Sequence, residues 1–571
     1  MQPYSDDLSM VFEGAAGQGV KTITALLLPI LKNSGYHLFS CTEYMSRIRG
    51  GSNTTEIRIT GKKRQAYTAR IDVLLALTPY AFDRLRHRLH DHTLVFAEKE
   101  QFGEHCDNRC IDTPLGKLAA DAGGKVYANM VALGIVLAVL GIPLDQCTGF
   151  LREQFADKGE EVVENNLKAA SLGYDFGLKV PDAKNLTVPE TALENGKELL
   201  LMNGTSALGI GAVAAGCNFI CSYPMSPGTG VLTFLAKRSA DFGIVVDQAE
   251  DEIAAINAGL GASYAGARSL VTTSGGGFDL MQEGFSLAGM IETPIVIHIG
   301  QRPGPATGLP TRMEQGDLAL ALHAGHGEFA RAIYAPGTLD EAIETMQLAF
   351  NTAQHYQIPV VVLSDQYLLD AETTIGVDEI KRHPAERGIV KTDENYRRYA
   401  FTENGLSPRG VPGYGAGIVR ADSDEHDEHG LITESFEMRQ GMMDKRLKRL
   451  KALRENALPP TVIGDPRSAE IVAVAWGSNR GVLEEALDRL GDNRLAGVHY
   501  AQVFPLKPDT AALLGNGRKK VIIIENNALG QFADLLQRES GIVPSHRILK
   551  ATGEPFGVEE VIEKLMEVAN G

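Results

Sequence analysis

Apolar positions follow two rhythms along this chain. Short β-branched runs, bounded by glycine or polar clusters, read as strands, and between them apolar residues recur at helical spacing. Strands are expected over residues 8–13, 36–41, 53–60 and 71–77, then 217–223, 244–247, 270–273, 294–299 and 358–364, and finally 470–476 and 521–525. Helices are expected from the first glycine run to about Lys32, over 207–215, from the 244–247 strand to about Ser263, over 438–453, and from 478 through Leu490. The 244–247 run reads as a buried strand, and Ala249, Ile253, Ile256 and Leu260 form one stripe of the helix after it. The other positions of that helix are mostly alanine and glycine, thin enough to admit another backbone or a flat ligand. The longest apolar run, residues 130–144, is broken by glycine and falls short of the ~20 residues a membrane span needs, so it reads as a buried helix. Strands alternating with helices predict a multidomain α/β protein.

At 571 residues the chain is too long for one core. Residues 180–195 are polar and contain proline, as a linker would. Residues 371–465 are polar and rich in proline and glycine, with short helices at most until Glu434. The expected division is therefore 1–185, 196–370, an inter-domain segment 371–465, and 466–571. The net charge of −17 argues against a nucleic-acid or anionic-membrane partner. The first residues carry no basic stretch followed by a signal-peptide core. The six cysteines form no C-x-x-C and no ferredoxin-like run, so the chain reads as cytoplasmic, reduced, and without an iron–sulfur cluster of its own. No metal site is expected either. The Asp/Glu/His run at 422–429 reads as a solvated acidic loop, because consecutive ligands rarely converge on one ion.

Three stretches carry candidate chemistry. Residues 14–19, Gly-Ala-Ala-Gly-Gln-Gly, lead from a strand into a helix in an apparent βαβ unit. Their G-x-x-G-x-G spacing is not the dinucleotide fingerprint, and it serves tight strand-to-helix packing as readily as phosphate binding. Arg49 precedes Gly50 and Gly51 on a loop, where it could grip a phosphate or lie in solvent. Residues 244–278 read as strand, helix, strand and a glycine loop, Ser274 to Gly277, with Glu250 at the mouth of the helix. Asp247 and Glu250 have the spacing of a capping box, which by itself accounts for the glutamate.

A glutamate followed nine residues later by glycine on a small-residue helix resembles the pyrimidine-binding domain of thiamine diphosphate enzymes. Continued to Pro294 and through Gly-Pro-Ala-Thr-Gly-Leu-Pro-Thr at 304–311, the stretch resembles the α subunit of 2-oxoacid:ferredoxin oxidoreductases. In that family the glutamate, here Glu250, bonds a pyrimidine nitrogen of the cofactor and is catalytic. Residues 223–228, Tyr-Pro-Met-Ser-Pro-Gly, resemble the family segment whose threonine contacts substrate, with Ser226 in its place. The resemblance implies cofactor contacts at Tyr223, Pro224, Gly275 and Gly277. Arg302 and Arg312, which could grip a carboxylate, join Ser226 and Thr307 as substrate-binding candidates. Residues 1–185 resemble the family's γ domain, fused ahead of the α domain, which makes Gly17, Gly19, Arg49 and Gly50 coenzyme A candidates. The last domain resembles the transketolase C-terminal type.

The resemblance implies a cytoplasmic heterotetramer that converts a 2-oxoacid and coenzyme A to acyl-CoA and CO2 and reduces ferredoxin. The first expected substrate is 2-oxoglutarate, with pyruvate and branched-chain acids open. The cofactor is thiamine diphosphate, shared with a β subunit that supplies Mg²⁺ and an iron–sulfur cluster. A dinucleotide-dependent dehydrogenase built on the first glycine run and a non-catalytic scaffold subunit are the competing readings.

Overall fold

The computed structural model describes residues 6–44, 50–181, 183, 186–191 and 198–571. The chain forms two compact units, Met1–Met202 with Ala371–Val377, and Asn203–Asp370 with Asp378–Gly571.

The first unit is built on an eight-stranded sheet. Its order is Cys110–Asp112, Leu89–Ala97, Ile71–Ala76, Asp7–Ala16, Gly50–Thr60, His37–Glu43, Glu372–Gly376, Leu199–Asn203. Asp7–Ala16 pairs parallel with Ile71–Ala76 but antiparallel with Gly50–Thr60, which also pairs antiparallel with His37–Glu43. The expected βαβ unit is thus corrected: the strands flanking helix Val20–Asn33 are not neighbours, because an antiparallel strand lies between them. The long apolar run does fold as a buried helix, Ala128–Val139, with every residue from Met130 to Val139 buried. It meets helix Glu160–Gly177 backbone to backbone. A Cβ on Gly134 would fall 2.0 Å from the Ala170 carbonyl oxygen, and one on Gly173 would fall 2.0 Å from that of Val131.

The second unit holds two sheets. The larger runs Gln502–Phe504, Ala332–Tyr334, Pro359–Asp365, Ile295–Gln301, Ser269–Ser274, Phe219–Ser222, Val245–Gln248, parallel except for its first pair. The smaller runs Thr461–Ile463, Leu495–Tyr500, Ile471–Trp476, Lys520–Glu525, His546–Leu549. Gln502–Phe504 follows a strand of the smaller sheet and pairs into the larger one, so the two share one apolar core. Val245–Gln248 is not the buried strand its composition predicts. It is the last strand of its sheet, and Val245 is 60% exposed.

The segment after residue 378 is irregular until helix Phe436–Glu455. That helix anchors it through a buried charge cluster. Lys445 Nζ donates to both oxygens of Glu292 at 2.7 and 2.8 Å, and Arg449 donates to the same carboxylate. Burial would raise the Glu292 carboxyl, but Arg449, Lys445 and Arg398 together hold it well below the usual range. The 422–429 run is not a wholly solvated loop. His426 is buried with its ring 4.0 Å from that of Tyr399, and Glu425 pairs with Arg439 at 2.6 Å and Arg446 at 2.8 Å.

Candidate active site around a glycine turn

Helix Glu252–Tyr264 begins later than the sequence predicts. Asp247 lies in the edge strand, paired with Cys221, and cannot cap. Asp251 caps instead: its backbone is extended, and its side chain accepts from Ala254 N at 2.7 Å. Glu250 therefore stands before the cap, outside the helix and exposed. Glu252, the first helical residue, is only 3% exposed, and its Oε1 has no partner. Burial raises its carboxyl above the usual range. The buried stripe is Glu252, Ala255, Ile256, Gly259, Leu260 and Ser263, which leaves Ile253 50% exposed and off the stripe. The small residues partly serve packing, since a Cβ on Gly259 would meet Val271 and Ile295 at 3.0 Å.

Strand Ser269–Ser274 passes directly into helix Gly275–Leu280, so the expected glycine loop is the first turn of a helix. Two carboxyls press on that turn. A Cβ on Gly277 would lie 2.1 Å from Thr273 Oγ1 and 2.6 Å from Glu252 Oε1, and one on Gly275 would lie 2.2 Å from Asp317 Oδ1. Around this turn four buried polar atoms lack partners: Glu252 Oε1, Thr273 Oγ1, Ser274 Oγ and Asp317 Oδ2. Folded proteins rarely leave such atoms unpaired, and four around one turn leave bonds that a ligand could complete.

The loop at 223–228 closes one side. Arg302 Nη1 donates to the Ser226 carbonyl at 2.6 Å, and Thr272 Oγ1 donates to that of Gly228 at 3.1 Å. A Cβ on Gly228 would stand 2.5 Å from the Thr273 carbonyl. Ser226, Arg302, Gly275 and Gly277 are therefore brought together, with Pro224 half-buried and Tyr223 exposed at the outer end of the loop. Thr307 is exposed beside Ala306, whose carbonyl lies 3.9 Å from where a Cβ on Gly276 would be. Arg312 packs against Gly553, where a Cβ would come within 3.1 Å of the arginine Cβ.

In the first unit, Gly17 and Gly19 both have positive φ, 99° and 81°, and Gly19 is the N-cap of Val20–Asn33. Gly50 pairs opposite Ala16, which sets the two motifs side by side. Arg49 lies outside the described residues. Among the described residues, no group of three or more His, Cys, Asp or Glu is placed to hold a metal ion.

Glu252, Thr273 and Asp317 are the site residues that sequence reasoning missed. For Glu252 a signal existed but was degenerate: Glu250 precedes Gly259 by nine residues, and Glu252 precedes Gly261 by nine.

Residues 210–445 match the family model described as pyruvate flavodoxin/ferredoxin oxidoreductase, thiamine diP-bdg, and residues 9–176 match that of pyruvate ferredoxin/flavodoxin oxidoreductase. The chain is 31% identical to 2-oxoglutarate oxidoreductase subunit KorA of Mycobacterium tuberculosis, covering 78% of this chain and 68% of that one. This chain belongs to the 2-oxoacid:ferredoxin oxidoreductase family, as an α subunit. The α subunit is also 28% identical to 2-oxoacid:ferredoxin oxidoreductase 2, subunit alpha, of Aeropyrum pernix, covering 98% of each. It matches the solved 2-oxoglutarate:ferredoxin oxidoreductase from Magnetococcus marinus, which has 2-oxoglutarate, coenzyme A and succinyl-CoA bound. That match has a TM-score of 0.91 at 29% identity and covers 98% and 99% of the two chains. The thiamine-binding model covers the whole glycine turn of the α subunit, from Glu252 to Asp317.

Proposed function

We propose that this α subunit works with a β subunit to convert 2-oxoglutarate and coenzyme A to succinyl-CoA and CO2, releasing one proton and passing two electrons to ferredoxin. We further propose that Glu252, rather than Glu250, is the carboxylate that serves the cofactor. The observation that carries this reading is the unpartnered, buried Oε1 of Glu252 against the glycine turn. A carboxyl with one free oxygen, beside glycines that leave no room for a side chain, fits the edge of a flat heterocycle. When bound, thiamine diphosphate supplies the carbon nucleophile and electron sink of the reaction. Glu252 would hold and pass a proton at Oε1, and burial, which raises its carboxyl, favours the proton-holding form. Gly275 and Gly277 would let the ring approach, and Thr273 and Ser274 would offer it hydroxyls. Arg302, steadied on the Ser226 carbonyl, would face the acid's carboxylate, with Thr307 and Arg312 toward the far end of the substrate.

The diphosphate–Mg²⁺ half of the cofactor and the iron–sulfur cluster are assigned to the β subunit. Coenzyme A is assigned to the end of the first sheet where the Gly17 and Gly19 turn adjoins Gly50, with Arg49 as the candidate phosphate grip. A cytoplasmic heterotetramer completes the reading.

The test is proton exchange at the thiazolium carbon in the assembled complex. Glu252→Gln should slow it by about 10²–10⁴, the usual cost of losing a positioned acid–base group. Glu250→Gln should change it by less than about threefold. Normal exchange in Glu252→Gln with loss in Glu250→Gln would return the role to Glu250.

A further inference from the structure

Asp317 stands on the glycine turn opposite Glu252, yet the proposed chemistry leaves it idle. Its Oδ1 lies where Gly275 would carry a Cβ, and its Oδ2 is sealed from solvent without a partner. The segment that carries it is held from the C-terminal sheet with unusual thoroughness. Gln315 N donates to the Asn526 carbonyl at 2.7 Å, and its Nε2 donates to that of Trp476 at 2.9 Å. Its Oε1 accepts from Asn479 Nδ2 at 2.9 Å and from Asn526 N at 3.0 Å, and its carbonyl accepts from Asn527 Nδ2 at 3.1 Å. Gln531 bonds the Gly316 carbonyl and Ala319 N, both at 2.8 Å. From the other side, Asp317 N donates to Gln301 Oε1 at 3.1 Å, next to Arg302. Trp476, Asn526 and Asn527 all stand at the carboxyl ends of parallel strands, where α/β sheets place functional groups. So many bonds spent on a segment whose own carboxylate is left unsatisfied indicate that the carboxylate's position matters.

We propose that Asp317 is a positioning residue that acts through Arg302: its charge sets how strongly the guanidinium holds the carboxylate of an incoming 2-oxoacid, and the C-terminal sheet keeps it at that distance. This rests on the substrate reading given above. A neutral Asp317 leaves the full charge of Arg302 to the substrate. An ionised Asp317 cancels part of that charge and repels the acid. The charged groups facing it are Arg302, which favours ionisation, and Glu314, which opposes it, with Glu252 across the turn. Burial first, and then Glu314, push the carboxyl up to about 7, so the change of state falls near neutral pH.

Between pH 6 and 8.5 the KM of the assembled complex for 2-oxoglutarate should rise about tenfold or more. That is the size expected when a neighbouring unit charge partly cancels the guanidinium's at an effective dielectric of ~20. In Asp317→Asn the rise should fall below about twofold. Glu314→Gln, which removes the like charge, should move the midpoint of the wild-type rise to lower pH, and it keeps the idea testable if Asp317→Asn assembles poorly. The chain alone gives a readout that does not involve turnover. A carboxyl raised on folding contributes stability that is fully present below its unfolded value of ~3.9 and is lost as pH rises through about 7. Asp317→Asn should remove that loss of melting temperature across this window. Parallel KM profiles, or parallel melting profiles, for wild type and Asp317→Asn would overturn the proposal. Neither result depends on thiazolium exchange in Glu252→Gln, so failure of the cofactor reading would be seen separately.

Discussion

Two helices in this chain start on glycine next to a buried glutamate, and the two glutamates are treated differently. In the first unit, Glu13 precedes the Gly14–Gly19 run. Its Oε1 accepts from Ser52 Oγ and Thr78 Oγ1, both at 2.7 Å, and its Oε2 accepts from Thr78 N at 3.1 Å. In the second unit, Glu252 meets the Gly275–Gly277 turn with Oε1 unbonded. Burial raises both carboxyls. The glycines also differ in purpose. Gly19 is required by its left-handed φ and by Asn129, whose Nδ2 lies 2.6 Å from where a Cβ would be, whereas Gly275 and Gly277 make room for carboxyls. Glycines and a raised carboxylate do not by themselves distinguish a site from a joint. The bonding sets these two apart: Glu13 is satisfied within its own fold, whereas Glu252 leaves a buried oxygen with a bond still to make.

The sharpest way to break this comparison is to neutralise both glutamates. Glu252→Gln should cost about 10²–10⁴ in turnover with melting temperature held, while Glu13→Gln should cost about 1.5–3 kcal/mol of stability with turnover per folded enzyme nearly kept. Exchanged outcomes, read by thermal melts and steady-state rates, would invert the lesson. Next in size is Arg49→Ala. If the first glycine run receives coenzyme A through backbone N–H groups, this variant should raise the KM for coenzyme A by about 10–100-fold and spare the decarboxylation half-reaction. Parallel loss of both would instead give that stretch a structural role. The smallest contrast is between glycines. Gly277→Ala drives a methyl into Thr273 and Glu252 and should cost about 1–3 kcal/mol along with most of the activity. Gly17→Ala meets open space and should cost only the ~1–2 kcal/mol of its left-handed backbone, measured by denaturant melts.

Much of the α/β framework was legible because β-branched runs place strands well. Residues 358–364 became Pro359–Asp365, and 470–476 became Ile471–Trp476. Partner choice was not legible. The run at 244–247 has the composition of a core strand but ends a sheet, and no local pattern announces that Gly50–Thr60 separates two parallel strands. At the site, the glycine turn and Arg302 could be read from the sequence, but the cap could not. Asp247 and Asp251 are both good caps, and only strand pairing removes the first. That four-residue difference decides which glutamate enters the helix. Asp317 was out of reach because its place depends on Trp476, Asn526 and Asn527, more than 150 residues further along the chain.

The edge strand Val245–Gln248 has a consequence beyond its own sheet. Its outer row of backbone donors and acceptors and its exposed Val245, together with exposed Phe242 just before it, form a template to which another strand can add. A strand added there would extend the sheet through backbone hydrogen bonds alone, whichever chain supplied it, although at four residues the edge offers only a short row of them.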